Sequence, residues 1–368
     1  MQPIDLDYRS RYFDNAATTP VDPRVVEEML PYFSEAFGNA NSIHEPGQRA
    51  HAAVELARER VAELLGEEEP GWLTFTSGAT EANNWVLALG TPLAVSPFEH
   101  SSVWETNSYF KGEVLESEGY TLRGPKAKAS CAAVMHVNNE TGAILELPSE
   151  LQSHDSDGGM AFSLLRDLTQ SVGKVDLPQM KRSYFASLSA HKFYGPKGVG
   201  ALYSKMCVPA TWMHGGEQEN GQRAGTLNVP GIVGMGAAAA IALQEADKNK
   251  RHAESLRALV LEEVEKTTDL QLNSPANSSP YIVSLSFLGV EGETLVVELD
   301  RAGYSISSGA ACSSRSTEPS HVLTALGLPM EWIRGTIRIS FGKYNTEEAA
   351  TNLAKELRKA VEKLRTMS

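Results

Sequence analysis

Trp72-Leu73-Thr74-Phe75-Thr76-Ser77-Gly78-Ala79-Thr80-Glu81-Ala82-Asn83-Asn84 reads as one complete structural unit. The apolar run 72–75 has the texture of a short buried strand, Ser77-Gly78 breaks it, and a helical pattern resumes at Thr80. A strand that enters a helix through a small-residue turn leaves the first N–H groups of that helix free. Together with the helix dipole they make an anion site suited to one phosphate. An ordinary N-cap by Ser77 or Thr80, with nothing bound, fits the same residues. The stretch has neither the Gly-Lys-Ser/Thr of a P-loop nor Gly-x-Gly-x-x-Gly.

The same alternation extends outward on both sides. Residues 47–65 form an amphipathic helix with Ala50, Val54, Ala57, Val61, Leu64 and Leu65 on one face and Gly66 as its stop. Apolar strand candidates recur at 93–95, 132–137, 184–188 and 199–203, with helical patterns between several of them. This order predicts an α/β fold built from βαβ units, with a mostly parallel sheet buried on both faces. Ligands of such sheets bind at the carboxyl ends of the strands. After a helix over 230–247 the texture changes to a charged amphipathic helix (248–266), a half-exposed strand (281–288) and a closing polar helix (346–365). The expected division is a large domain over residues 15–250 and a smaller α+β domain from residues 1–14 and 251–368, with the boundary near 245–255.

Composition narrows the function classes. At roughly 100–200 residues per domain, 368 residues make two or three units, and 42% apolar with 21% charged residues supports a sizeable core. Disordered and collagenous chains are excluded. With 33 basic against 46 acidic residues the net charge is −13, which repels phosphate backbones, so nucleic acid is not an expected partner. The longest uncharged apolar run, 231–243, falls short of the ~20 residues that cross a bilayer and reads as a buried helix. The first residues carry early acids and no apolar h-region, unlike a secretory signal. Cys131, Cys207 and Cys312 form no Cys-x-x-Cys pair, which points to a reducing, cytoplasmic setting. The histidines are scattered, and neither His44/His51 nor His136/His154 has a third ligand candidate, so no metal is expected.

Four positions carry chemistry. Lys192, in Ser189-Ala190-His191-Lys192, directly follows an apolar strand; desolvation there lowers an amine's pKa, and the neutral amine can form a Schiff base with an aldehyde cofactor. Ser189 and His191 beside it could donate to a phosphate. A Lys and a His simply facing water at a strand end would leave the same sequence. Asp167 ends an apolar stretch, where a carboxylate can pair with the protonated pyridine nitrogen of pyridoxal phosphate or merely cap a helix. Cys312 lies among small polar residues, as reactive thiols do, whereas Cys131 and Cys207 read as packing residues. Arg338 sits in an apolar stretch and must find an anion, either a substrate carboxylate or a structural partner.

In this order, and together with 12–20 (Tyr-Phe-Asp-Asn-Ala-Ala-Thr-Thr-Pro), Phe98-Glu99-His100-Ser101-Ser102, 136–142 (His-Val-Asn-Asn-Glu-Thr-Gly), Arg223-Ala224-Gly225-Thr226 and 318–323 (Glu-Pro-Ser-His-Val-Leu), the chain resembles the cysteine desulfurases over almost its whole length. These are pyridoxal-phosphate enzymes of the class V aminotransferase family with fold type I, and the 312–319 stretch resembles the housekeeping and nitrogen-fixation branch. The resemblance implies a large domain with a seven-stranded-type sheet and a smaller α+β domain. It implies that Lys192 is the Schiff-base lysine and that Ala79, Thr80, Ser189 and His191 hold the phosphate. Thr226 would reach the phosphate from the neighbouring subunit of a homodimer. His100 would stack on the ring, Asp167 would pair with its nitrogen, and Gln170 and Asn139 would contact its hydroxyl. Arg338, with Asn15, would hold the substrate carboxylate, and Cys312 would take the sulfur of L-cysteine as a persulfide, releasing L-alanine. A protein acceptor in iron–sulfur cluster assembly or thio-modification would follow. A C–S or selenocysteine lyase on the same scaffold, or a non-catalytic sulfur-transfer partner, are the alternatives. The chain differs from the family pattern at Arg166, at Tyr184 and over the polar stretch 153–159. It ends soon after its last helix, so docking of a cluster scaffold through a long C-terminal tail is not expected.

Overall fold

The computed structural model describes residues 6–67, 70, 72–152, 163–179, 184–205, 208, 210–309 and 319–367. Cys207, Cys312 and the 153–159 stretch lie outside the described residues. A seven-stranded sheet is built from β1 (Thr74–Thr76), β2 (Leu93–Val95), β3 (Glu113–Val114), β4 (Cys131–Ala133), β5 (Ser163–Asp167), β6 (Tyr184–Ser189) and β7 (Gly200–Ser204). The spatial order is β1-β7-β6-β5-β4-β2-β3. Strand β7 runs antiparallel to both its neighbours, and every other pair is parallel.

Helices cover both faces of this sheet, which is why its strands read as continuous apolar runs rather than alternating ones. On one face α2 (Ala79–Leu87) and α3 (Ser101–Phe110) bury Trp85, Val86 and Val103 against Leu165, Phe185 and Leu202. On the other, α1 (Glu45–Leu64) and α4 (Val229–Val264) bury Val54, Val61, Met235 and Ala238 against Leu164, Ala186 and Leu188. Helices α1 and α4 meet through small residues: a Cβ on Gly236 would stand 2.6 Å from Ala57 Cα. Phase along the strands thus sends Leu164 and Leu165 to opposite layers.

The structure joins the two helices expected over 230–247 and 248–266 into one of 36 residues. No Gly or Pro interrupts residues 244–264, so nothing stops the helix; only its surroundings change. Its first half belongs to the core just described, and Ala253, Leu256, Val260 and Val264 belong to a separate cluster. It is the one helix among the described residues long and apolar enough to cross a bilayer, and most of its apolar window is buried inside the protein.

The separate cluster underlies a second, antiparallel sheet of β8 (Leu270–Leu272), β9 (Ile282–Phe287), β10 (Ser307–Ser308) and β11 (Thr336–Ser340), ordered β8-β9-β11-β10. Val283, Leu285, Ile337 and Ile339 pack there with Leu353 and Leu357 of α6 (Glu347–Met367) and with Leu295 of α5 (Gly292–Arg301). Strand β9 is buried throughout rather than half-exposed. Its serines are covered and bonded to each other's neighbours: Asn273 Nδ2 donates to Ser284 Oγ and Ser286 Oγ, and Ser286 Oγ shares a 2.7 Å bond with Thr336 Oγ1. Phe13 anchors the N-terminal segment to this sheet, with Phe13 N donating to Ser305 O and Ser340 N donating to Phe13 O. The segment then crosses toward the carboxyl ends of the large sheet.

Between β7 and α4 the chain takes left-handed backbone at Glu219 and Asn220 (φ 49° and 56°), conformations costly for side-chain-bearing residues. A buried carboxylate over-determines them. Glu219 accepts from Arg58 through both oxygens (2.9 and 3.0 Å) and from Phe75 N (2.8 Å). Removing one member of such a buried pair strands the other. Glu219→Ala is therefore expected to lower the unfolding free energy by about 2–3 kcal/mol, since Arg58 then keeps the half-exposed Glu55, the Leu73 carbonyl and the Phe75 ring but no buried countercharge. Urea denaturation followed by far-UV circular dichroism measures this, and a loss under about 1 kcal/mol contradicts the clamp.

Candidate active site

Five chain segments end on one side of the large sheet, and their ends enclose a cavity of about 290 Å³. Asp167 is the last residue of β5, and Lys192 closes the 3₁₀ turn that follows β6. Ala79 and Thr80 open α2 just after β1, and His100 is the N-cap of α3. Asn139 follows β4, and Arg338 reaches in from β11 of the small sheet. With Gln170, Ser189 and His191, all of these line the cavity, and so do the backbone-rich Ala16 and Ala17.

Lys192 Nζ donates to the carbonyls of Ala16 (2.6 Å) and Ala17 (2.9 Å), so the N-terminal crossing segment holds it in place. Asp167 is 5% exposed and its two oxygens are separately bound, Oδ1 by Thr169 N and Oδ2 by Asn83 Nδ2, both at 2.9 Å. His100 Nδ1 accepts from Ser102 N at 3.1 Å, which places the proton of the neutral ring on Nε2. Burial pushes the His100 pKa down, with Lys192 adding to it and Asp167 opposing. His191 is pushed down to about 4 by burial and by Lys192, Lys197 and Lys174. Its Nδ1 shares a 3.1 Å bond with Thr18 Oγ1, which leaves Nε2 for a ligand. Both imidazoles are thus uncharged at neutral pH.

The head of α2 has no side-chain cap, because Gly78 is its N-cap. Glycine is required nearby: a Cβ on Gly200 would stand 2.6 Å from Gly78 Cα and 2.4 Å from Leu188 O. Ala79 N donates to Ser189 Oγ at 2.8 Å, bringing the β6 hydroxyl to the same helix terminus. Capless helix N–H groups, two hydroxyls and an uncharged imidazole form a donor set that fits a phosphate.

Arg338 is 2% exposed and paired with Asp14 (Nη2 to Oδ1, 2.8 Å) and with the Asn139 carbonyl (Nη1, 2.9 Å); its Nε has no partner among the described residues. Thr169 Oγ1, also on the cavity wall, and Asn83 Oδ1 are likewise buried without a hydrogen-bond partner. Unsatisfied buried polar atoms around a cavity are what a polar ligand would satisfy. Pyridoxal phosphate fits this set, with an amine, a strand-end carboxylate and a phosphate cradle on three walls.

Asn15 and Thr226 do not line this cavity. Asn15 Nδ2 is spent on Tyr12 O, Ser340 O and Asn345 Oδ1 (2.9–3.2 Å), bonds that tie the N-terminal segment to β11. Thr226 is exposed and away from the cavity of its own chain. Sequence reasoning had assigned nothing to Asn83, Asp14, Ser102 or Thr169. For Asn83 a signal existed, since it lies three residues after Thr80 and so on the same helical face.

The chain matches the class-V aminotransferase family over residues 11–103 and 121–353. It is 40% identical to a cysteine desulfurase IscS of Dictyoglomus turgidum (strain DSM 6724 / Z-1310), covering 98% of this chain and 96% of that relative. Among solved structures, a NifS-like protein superposes with a TM-score of 0.85 at 34% identity over 95% of this chain and 99% of that one. SspA in complex with cysteine superposes with a TM-score of 0.70 at 29% identity, covering 91% and 100%. The chain belongs to the class-V aminotransferase family, and within it to the cysteine desulfurases.

Proposed function

We propose that the chain is a pyridoxal-phosphate-dependent cysteine desulfurase that converts L-cysteine to L-alanine and keeps the sulfur as a persulfide on Cys312. The observation that carries the reading is the convergence of Lys192, Asp167 and Arg338 on one cavity beside an uncapped helix terminus. Pyridoxal phosphate, when bound, supplies an aldehyde for the substrate amine and a ring that withdraws electrons from the α-carbon.

This chain's own residues do the rest. Thr80, Ser189, His191 and the Ala79 end of α2 hold the phosphate. His100, uncharged, would face the ring, and Asn139 and Gln170 would meet its hydroxyl. Asp167 keeps a proton on the ring nitrogen, which the paired donors Thr169 N and Asn83 Nδ2 favour by holding the carboxylate in place. Lys192 would hold the aldehyde and serve as the base that takes the proton from the substrate α-carbon. Arg338 exchanges its resident partner Asp14 for the substrate carboxylate. The Cys312 thiolate then attacks the substrate sulfur. The carbon–sulfur bond breaks, its electrons stay on the carbon and pick up a proton, and alanine leaves.

Arg338→Lys tests the substrate-binding part. It keeps the charge and loses the fork, so kcat/KM for L-cysteine is expected to fall about 10- to 100-fold, mainly through KM, with cofactor occupancy retained. Unchanged KM would remove Arg338 from the substrate site.

The working form proposed is a homodimer in the cytoplasm. Phe33, Phe37 and Ile43 are 63%, 73% and 91% exposed within one short segment, an apolar patch suited to a second copy, and exposed Thr226 would then serve the neighbouring subunit. Cys131, free and buried, suits a reducing compartment. A protein acceptor would carry the sulfur on to iron–sulfur cluster assembly or thio-modification.

A further inference from the structure

A second lysine stands directly behind the cavity wall. Lys174 does not line the main cavity; it borders a pocket of about 20 Å³ behind it, together with Asn15, Tyr281 and Lys343. Its Nζ donates to Gln170 Oε1 at 3.0 Å. Gln170 Nε2 in turn donates to the Ala16 carbonyl at 2.8 Å, and that same carbonyl accepts from Lys192 Nζ at 2.6 Å. One line of hydrogen bonds therefore joins Lys174, Gln170, Ala16 and Lys192.

A glutamine amide has a donor end and an acceptor end of nearly equal shape, and its neighbours decide which end faces which way. A lysine amine donates in either protonation state, and a carbonyl only accepts. Set between Lys174 on one side and Ala16 O on the other, Gln170 satisfies both in a single orientation, with Oε1 toward Lys174 and the NH₂ toward Ala16. That NH₂ has a second proton, and Gln170 lines the cavity. Lys174 has no carboxylate partner among the described residues. Burial, then Lys192 and Arg338, hold its pKa down at about 7. A half-buried amine kept among other cations, with no carboxylate partner among the described residues, calls for another explanation.

We propose that Lys174 is a positioning residue of this site: by donating to Gln170 Oε1 it fixes the Gln170 amide so that the cavity is offered a hydrogen-bond donor, and no acceptor, at the position where the ring oxygen of the cofactor is held. The inference rests on the cofactor reading above and extends it by one residue. A donor there favours the ionised form of that oxygen; a flipped amide would repel it.

The test titrates cofactor-free protein with pyridoxal phosphate, reading the dissociation constant and the pH at which the visible absorbance of the bound cofactor changes. Lys174→Met should weaken binding about tenfold, the size of one charged hydrogen bond, and move that pH upward by about one unit. Lys174→Arg, which keeps a donor, should stay within about threefold of wild type. Because Lys174 acts through Gln170, adding Lys174→Met to Gln170→Leu should change binding by less than about twofold. Circular dichroism checks the fold of each variant, and Lys174→Ala replaces the Met variant if methionine is not accommodated. An unmoved pH midpoint with binding within about twofold overturns the inference, and so does a full Lys174→Met effect in the Gln170→Leu background. Wild-type protein that takes up no pyridoxal phosphate overturns the functional reading and this inference together. Wild type that binds, beside an indifferent Lys174→Met variant, overturns the inference alone.

Discussion

Lys192→Ala is expected to abolish alanine formation from L-cysteine, with less than about one per cent of wild-type turnover remaining, a barrier increase of roughly 3 kcal/mol or more. The demand is modest for a residue asked to be both the covalent anchor and the α-carbon base. Among the described residues Lys192 is the one amine lining the cavity, held there by the carbonyls of Ala16 and Ala17. Lys174 cannot take its place, because it lies behind Gln170 and outside the cavity. The variant should still bind the phosphate end of the cofactor through the head of α2, but borohydride should leave no pyridoxyl group on the peptide that contains position 192. Residual turnover well above a per cent, measured as alanine by chromatography, removes Lys192 from the mechanism.

Cys312→Ala should separate the early steps from the late one. Cofactor attachment and removal of the α-proton need Lys192 and Asp167, not a thiol, so the variant should stay yellow and change its absorbance when L-cysteine is added. Alanine release should fall at least about 100-fold, since the sulfur has no nucleophile to receive it. If the variant desulfurises cysteine at more than a tenth of the wild-type rate, the chemistry is a lyase-type elimination and Cys312 is an exposed thiol without a role.

Much of the fold was legible because both faces of the large sheet are covered. Strands 93–95 and 184–188 announced themselves as short apolar runs, and the structure places them as β2 and β6 within a residue. The strand–turn–helix at 72–84 was equally clear, since Ser77-Gly78 can do little but turn. What misled was polarity without exposure. Ser284 and Ser286 gave β9 an alternating pattern that suggests a wet face, yet Asn273 and Thr336 bind those hydroxyls under cover. The charged surface of α4 beyond Asp247 suggested a new helix, where the helix merely leaves one core for another.

The site was legible where one residue's chemistry is tied to a strand end, as for Asp167 and Lys192. It was not legible where the role depends on a partner far away in sequence. Asn15 looks like a polar side chain free to meet substrate until Ser340 and Asn345, more than three hundred residues on, are seen to occupy it. Asp14 carries no signal of its own; only the register of β11 beside the N-terminal segment reveals that it holds Arg338. Lys174 has no role that its sequence neighbours suggest; its bond to Gln170 supplies one.

The central claim is that sulfur leaves cysteine onto this protein while the carbon skeleton leaves as alanine. The most direct measurement is a single turnover of the wild-type protein with L-cysteine in the absence of reductant, followed by peptide mass spectrometry and alanine quantification on the same sample. The account predicts one alanine per active site and one additional sulfur on the peptide containing Cys312, removed by reductant as sulfide, with none on the peptides of Cys131 or Cys207. Alanine or free sulfide formed without any sulfur on the Cys312 peptide would contradict it.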